Sequence, residues 1–298
     1  MRRLLVLLSL VAVASFAAAD GMPPPHILIT NDDGIDAPGL AALVAALKDD
    51  YRITVCAPAT EQSAVGHGIT YRTPVQVEER PAVDGVRRYA IHAQPATCVR
   101  IGVTALLAGD KPELVLSGIN RGDNGGRSTW VSGTVAGARE GALCGLPAVG
   151  YSAKHPRGTE PDFAAAARWA RLVLLRLREV GLPRAAELVK VDVPHPAAAA
   201  RGIAVTRVSL LPNPEERYEE RPGPHGERLF VSLYRQLEHD AAGTDVEALA
   251  TGFVAVTPLS LDQTDSSRLA ELGAIPWCQL VAPLATASQP AAVATATP

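Results

Sequence analysis

Apolar residues follow two rhythms along this chain. Short runs, the apolar HILIT at residues 26–30 and ELVL at 113–116 and the β-branched RITVC at 52–56, are too short for helices and read as strands of a parallel sheet. Between them lie segments with apolar positions three and four apart. One opens near Pro38 and covers residues 39–47; a second, at 96–108, carries Val99, Val103, Leu106 and Leu107; others span 135–143 and 161–180, the last Ala-rich at its start with an Arg-studded outer face. Further strands are expected at 147–152, 188–193, 202–210, 229–233 and 253–256, and a last short helix at 264–272. Residues 75–78 and 87–92 alternate and read as a β-hairpin arm around Asp84-Gly85, whereas 194–200 is a Pro/Ala linker and 211–226 a charged loop or arm. Strands alternating with helices predict an α/β fold: a doubly wound, mostly parallel sheet with flanking helices.

Composition bounds the picture. At 47% hydrophobic residues the chain has material for a large core, but aromatics are only 4%, so the core must be built from Ala, Val and Leu. The net charge of −3, with no basic patch, argues against binding long nucleic acid by phosphate neutralisation. Arg2 and Arg3, the apolar stretch 4–16 and Ala17-Ala18-Ala19 make a signal peptide over residues 1–19, so a periplasmic or secreted protein is expected. The apolar stretch is too short to span a membrane comfortably, and no membrane attachment is expected after cleavage. Met22 offers a rival start, which would leave the protein cytoplasmic. A single functional domain is expected over 20–280, followed by a disordered Ala/Thr/Pro-rich tail at 281–298. The four cysteines, at 56, 98, 144 and 278, show no CxxC spacing, so a zinc ribbon or thioredoxin-type motif is unsupported.

The chemistry gathers at strand ends. The first strand runs into Asn31, Asp32, Asp33 and Gly34; the second leads to the loop holding Ser63 and His67; the third ends at Asn120 and continues into a glycine-rich stretch. In an open parallel sheet such ends share one edge, where ligands bind. Two carboxylates, a hydroxyl and an amide carbonyl form an all-oxygen set, which favours Mg²⁺, Mn²⁺ or Ca²⁺ over Zn²⁺. The glycine-rich stretch between residues 117 and 133 suits oxyanion binding through its backbone N–H groups. Ser132, Gly133 and Thr134 open a helix whose N-terminus suits a phosphate. No P-loop, no nucleophile elbow and no dinucleotide-binding fingerprint is present.

Five motifs in order, ILITNDDGIDAPG, AP-x₄-S-x₂-GHGIT, VLSGINRGDN, SGTVAGAREG and GTDVEALATGFVAVTPLSLD, resemble the SurE family of metal-dependent nucleotidases over about residues 27–262. The resemblance implies a Rossmann-like core with a β-hairpin arm and a C-terminal segment exchanged between protomers, hence a homodimer or homotetramer. It implies hydrolysis of nucleoside monophosphates to nucleoside and phosphate. Asp32, Asp33, Ser63 and Asn120 would hold a divalent metal, Mg²⁺ or Mn²⁺. Asn120, Gly122, Ser132, Gly133 and Thr134 would hold the phosphate. Asp32 or Asp33 would act as general base and His67 as proton donor to the leaving oxygen. The chain departs from the family pattern at Ala93-Gln94-Pro95-Ala96-Thr97-Cys98, where Thr97 stands in place of an acid, and at Arg121 and Arg127 in the glycine loop, either of which could pair with phosphate. Alternative readings are an exported, non-catalytic nucleotide- or phosphate-binding module, or a phosphatase of other small phosphoesters or polyphosphate.

Overall fold

The computed structural model describes residues 23–213, 216–235 and 237–277. The expected signal peptide, the tail and Cys278 lie outside the described residues. Contacts divide the chain at Leu261, and the stretch from Asp262, which carries helix α7 (Ser266–Gly273), is a unit of its own.

Strand β1 (His26–Thr30) is buried throughout because it sits inside a nine-stranded sheet. Its neighbours are β2 (Arg52–Pro58) and β5 (Leu114–Arg121), both parallel to it. Outward from β2 come β4 (Val86–Ile91) and β3 (Val77–Val83); outward from β5 come β6 (Ala148–Ala153), β7 (Leu188–Val193), β11 (Val254–Leu259) and β8 (Ile203–Val205). The six strands from β4 to β7 are mutually parallel, while β3 and β11 run antiparallel to their inner neighbours. The chain winds from β1 toward β2 and then returns to add β5 on the other side. The switch point of the sheet therefore lies between β1 and β5, where ligands bind in open α/β sheets.

Period-two burial on β1 explains the two helix layers. Ile27 and Ile29 join one core cluster with Leu40, Leu43 and Leu47 of α1 (Pro38–Leu47) and Val173 and Leu174 of α5 (Phe163–Glu179). Leu28 joins the opposite cluster with Val99 of α2 (Pro95–Ile101) and Ala138 of α4 (Gly133–Leu143). Small residues let α4 lie close to the sheet: a Cβ on Gly141 would stand 2.5 Å from the Val115 Cβ.

Several expectations need correction. The hairpin turning at Asp84-Gly85 is no arm: β4 pairs with β2 and buries Val86, Ala90 and Ile91, so the hairpin forms an edge of the main sheet. A free-standing two-stranded hairpin instead comes from β9 (Arg217–Pro222) and β10 (Arg228–Leu233). Its β9 half falls in the stretch read as a loop or arm, because a strand exposed along its length carries no apolar alternation. The helix expected at 96–108 is α helix only to Ile101 and continues as a π turn over Gly102–Leu106. The strand expected at 202–210 shrinks to three residues. A short helix, α3 (Ser128–Val131), was not foreseen inside the glycine-rich stretch.

Candidate active site

Asp32 lies immediately beyond β1 and is buried to 3% exposure. Burial, opposed by the Thr134 hydrogen bond and reinforced by neighbouring Asp33, pushes its carboxyl pKa up to about 6. The Thr134 hydroxyl donates to Asp32 Oδ1 at 2.5 Å. Gly133 faces the same carboxylate so closely that a Cβ there would stand 2.8 Å from the Asp32 Cβ and 2.9 Å from Oδ2. Ser132 caps α4, its Oγ accepting from Val135 N–H at 3.0 Å. The start of α4 thus sits directly on Asp32, and its positive dipole end faces the acid.

Asp33 is half-buried, and desolvation raises its pKa against a hydrogen bond from the Arg121 N–H to Oδ2 at 3.0 Å. That bond ties Asp33 to the residue after Asn120. The Ser63 loop is tied on the other side, since Gln62 N–H donates to the Asp32 carbonyl at 2.7 Å. Ser63 itself is exposed and donates to Glu61 Oε1 at 2.8 Å. Glu61 is a third carboxylate at the site, and its charge helps raise the Asp33 pKa. An exposed glutamate in a loop carries no local signal, so the sequence alone does not mark Glu61.

Asn120 reaches the edge through an irregularity in β5. The β5–β6 register shifts between Ser117 and Asn120, at Gly118, whose φ of +132° and a clash of 2.3 Å between any Cβ and the Tyr151 carbonyl require glycine. The Asn120 amide donates to the Gly122 carbonyl at 2.8 Å, which leaves its own oxygen as the available acceptor. Asp32, Asp33, Asn120 and the Ser63 loop are therefore brought to one edge by backbone links.

The glycine loop does not present the oxyanion cradle that its composition suggests. Arg121 N–H goes to Asp33, Gly122 N–H to the Ala153 carbonyl at 3.0 Å, Asn124 N–H to Asp192 at 2.7 Å and Gly126 N–H to Asp245 at 3.0 Å. Three carboxylates and one carbonyl, all remote in sequence, take up these four amides, so composition could not show that they are spent. Arg121 also pairs with Glu160 at 2.5 Å rather than standing free.

His67 is held by Glu140, with Nε2 2.9 Å from Oε2, while Arg100 Nε donates to the other oxygen at 2.6 Å. Glu140 is buried at 1% exposure; burial raises its pKa, but hydrogen bonds from His67 and Arg100 outweigh this and hold it below the usual range. Glu140 lies six residues along α4 from Thr134, about 9 Å at 1.5 Å per residue. This geometry makes His67 a latch between its loop and α4, with Nδ1 buried and without a partner among the described residues. Thr97 serves the same loop: its hydroxyl accepts from Thr70 N–H at 2.9 Å, so the substituted position still anchors it.

The residues at this edge fit a hard divalent cation. Among the described residues no group of three or more His, Cys, Asp or Glu is arranged to hold a metal, so a cation here would rest on Asp32 and Asp33 plus neutral oxygens. Three of the five buried side-chain polar atoms without partners among the described residues are Thr30 Oγ1 and Asn31 Oδ1, at the end of β1, and Ser117 Oγ, beside Thr30 in the middle of β5. Thr30 and Ser117 are register partners.

Comparison with known proteins accords with this geometry. The family model described as survival protein SurE matches residues 27–212. The chain belongs to the SurE family. The chain is 40% identical to the 5'-nucleotidase SurE of Desulfatibacillum aliphaticivorans over 83% of its length and 96% of that protein. It is 39% identical to the 5'-nucleotidase SurE 1 of Thermus thermophilus, over 84% and 97%. The solved structure of the SurE protein from Aquifex aeolicus superposes with a TM-score of 0.70 at 32% identity, covering 86% of this chain and all of that one. SurE membership accounts for the mixed, mostly parallel sheet flanked by helices.

Proposed function

We propose that this SurE-family protein is a metal-dependent 5'-nucleotidase that hydrolyses nucleoside monophosphates to nucleoside and phosphate. The observation that carries the reading is the carboxylate pair at the switch point of the sheet: Asp32, faced by the start of α4 and with no ion pair among the described residues, beside Asp33. The names of the relatives support it.

Asp32, Asp33, Ser63 and Asn120 would hold the metal, Mg²⁺ or Mn²⁺ by donor type. When bound, such an ion neutralises charge on the phosphoryl group and makes an attacking hydroxide available near neutral pH. The first turn of α4, Ser132 to Thr134, orients the phosphate. Asp32 or Asp33 would accept the proton of the attacking water, and Thr134 keeps Asp32 in place through its 2.5 Å hydrogen bond. His67 holds the Ser63 loop against α4. The protein is exported by cleavage after Ala19 and acts as a homodimer or homotetramer on nucleotides outside the cytoplasm.

Phosphate release from a panel of nucleoside monophosphates by the chain beginning at Asp20, with EDTA, Mg²⁺ or Mn²⁺, tests the activity. Metal-dependent release is expected. A folded protein that binds nucleotide without turnover would replace this reading with a binding module. A secretion-reporter fusion of the first 25 residues tests the localisation, and a reporter retained in the cytoplasm would point to Met22 as the start.

A further inference from the structure

Behind the glycine loop lies a charge cluster that this chemistry does not use. Lys190 and Asp192 share one face of β7, and Asp245 opens helix α6 (Asp245–Ala250); all three are at 0% exposure. Lys190 Nζ has three acceptors from three parts of the chain: the Asn124 carbonyl at 3.0 Å, Asp192 Oδ2 at 2.5 Å and Asp245 Oδ2 at 2.8 Å. The carboxylates grip the loop in turn. Asn124 N–H donates to Asp192 Oδ1 and Gly126 N–H to Asp245 Oδ2, while Asp245 Oδ1 takes the N–H groups of Ser209 and Val246, both at 2.9 Å. The Asn124 side chain continues to Ser152 Oγ at 2.7 Å, and Ser152 is the register partner of Asn120.

An apolar residue would fill the Lys190 position without the cost of burying an ammonium. Filling space therefore does not account for a lysine here. Its three donors give direction, and every one of them ends on the loop or on a carboxylate that holds the loop. This loop joins the two halves of the site, beginning at Asn120 and ending, through α3, at Ser132, Gly133 and Thr134. Fixing its middle fixes the separation of its ends.

We propose that Lys190, with Asp192 and Asp245, is the positioning group of the active site: it clamps residues 120–130 against β7 and so sets Asn120 relative to the start of α4. The kinetic consequence rests on the nucleotidase reading; the clamp itself does not.

The test compares the full chain with Lys190→Met and Asp192→Asn. Hydrogen exchange is followed in peptides covering residues 120–130 and 95–106 of the metal-free protein. Hydrolysis of 5'-AMP is measured across a Mn²⁺ series and normalised to folded protein. Lys190→Met is expected to speed exchange at 120–130 about tenfold beyond any change at 95–106, which reports the loss of global stability. It is expected to raise the Mn²⁺ activation constant and the KM by about tenfold, with a smaller change in kcat, the scale on which outer partners tune a metal site. Asp192→Asn keeps the volume of the side chain and an acceptor for Asn124; it gives the same pattern at smaller size and decides the matter if Lys190→Met does not fold. Wild-type exchange at 120–130 in a folded variant overturns the proposal. So does a loosened loop with unchanged KM and Mn²⁺ constant, which is what a merely structural cluster would give. If the wild-type chain releases no phosphate with any metal, the nucleotidase reading fails separately, and the exchange measurement alone decides the clamp.

Discussion

Asp32 and Asp192 are both buried at the carboxyl edge of one parallel sheet, yet they are solvated differently. Asp192 is answered from within the chain. Burial works against the Lys190 ammonium, but Asp192 and Asp245 outweigh it and hold Lys190 charged; burial still raises the Asp192 carboxyl, as it does that of Asp32, but there the Lys190 charge and hydrogen bond oppose it. Asp32 accepts a hydrogen bond from Thr134, has the like charge of Asp33 beside it, and makes no ion pair among the described residues. A buried charge that the fold neutralises belongs to the architecture, whereas one that the fold leaves exposed to its own desolvation awaits a cation from outside. The difference separates the scaffold from the site without reference to any relative.

The comparison can be broken most sharply by removing each charge. Asp32→Asn should cut metal-dependent turnover by roughly 10²–10⁴-fold, the range for a lost general base, while the metal-free protein melts at a higher temperature than wild type. A turnover number within a few-fold of wild type would remove Asp32 from the reaction. Lys190→Met should act the opposite way on stability, costing about 3–5 kcal/mol in urea denaturation because two buried carboxylates lose their cation. A cost below about 1 kcal/mol would mean that the cluster is solvated or protonated.

The pH dependence sharpens the same contrast. Asp32 has a folded pKa of about 6 against a model-compound value of 3.8. Its contribution favours the folded state fully below pH 3.8 and is lost as pH rises through about 6, amounting to about 3 kcal/mol at 1.36 kcal/mol per unit. The difference in stability between metal-free wild type and Asp32→Asn should therefore widen between about pH 4 and 6 and stay flat above. Saturating Mn²⁺ should offset it, by about 2.7 kcal/mol at a hundredfold excess over Kd. A difference that does not change with pH would contradict the buried, unpaired state of Asp32. The smallest expected effect is that of Gly133→Ala. Its methyl would crowd the Asp32 carboxylate and cost about 1–3 kcal/mol, with activity falling more than stability. Unchanged kinetics there would place the phosphate away from the first turn of α4.

Much of the scaffold was legible in local pattern. The apolar runs at β1, β2 and β5 and the helical spacing in α1 and α5 are consequences of burial on two faces and one face respectively, and they appear in any window of the chain. The β9 strand was not legible, because nothing along its length is buried. Nor could β4 be assigned to the main sheet, since alternation specifies a strand but not its partner.

What the sequence by itself determined is the family, through five motifs in order along the chain, and most of the strands and helices, through residue type and apolar spacing within each segment. Tertiary structure alone decided which groups remain available. The Thr134–Asp32 bond spans 102 positions, the Gly126–Asp245 bond 119 and the Lys190–Asn124 bond 66. Such contacts turn the glycine loop's amides inward, set the Thr134 hydroxyl on Asp32 and anchor His67 to Glu140. Whether a polar group is spent or free depends on the partner that folding brings to it, and that partner is not written in the neighbouring sequence.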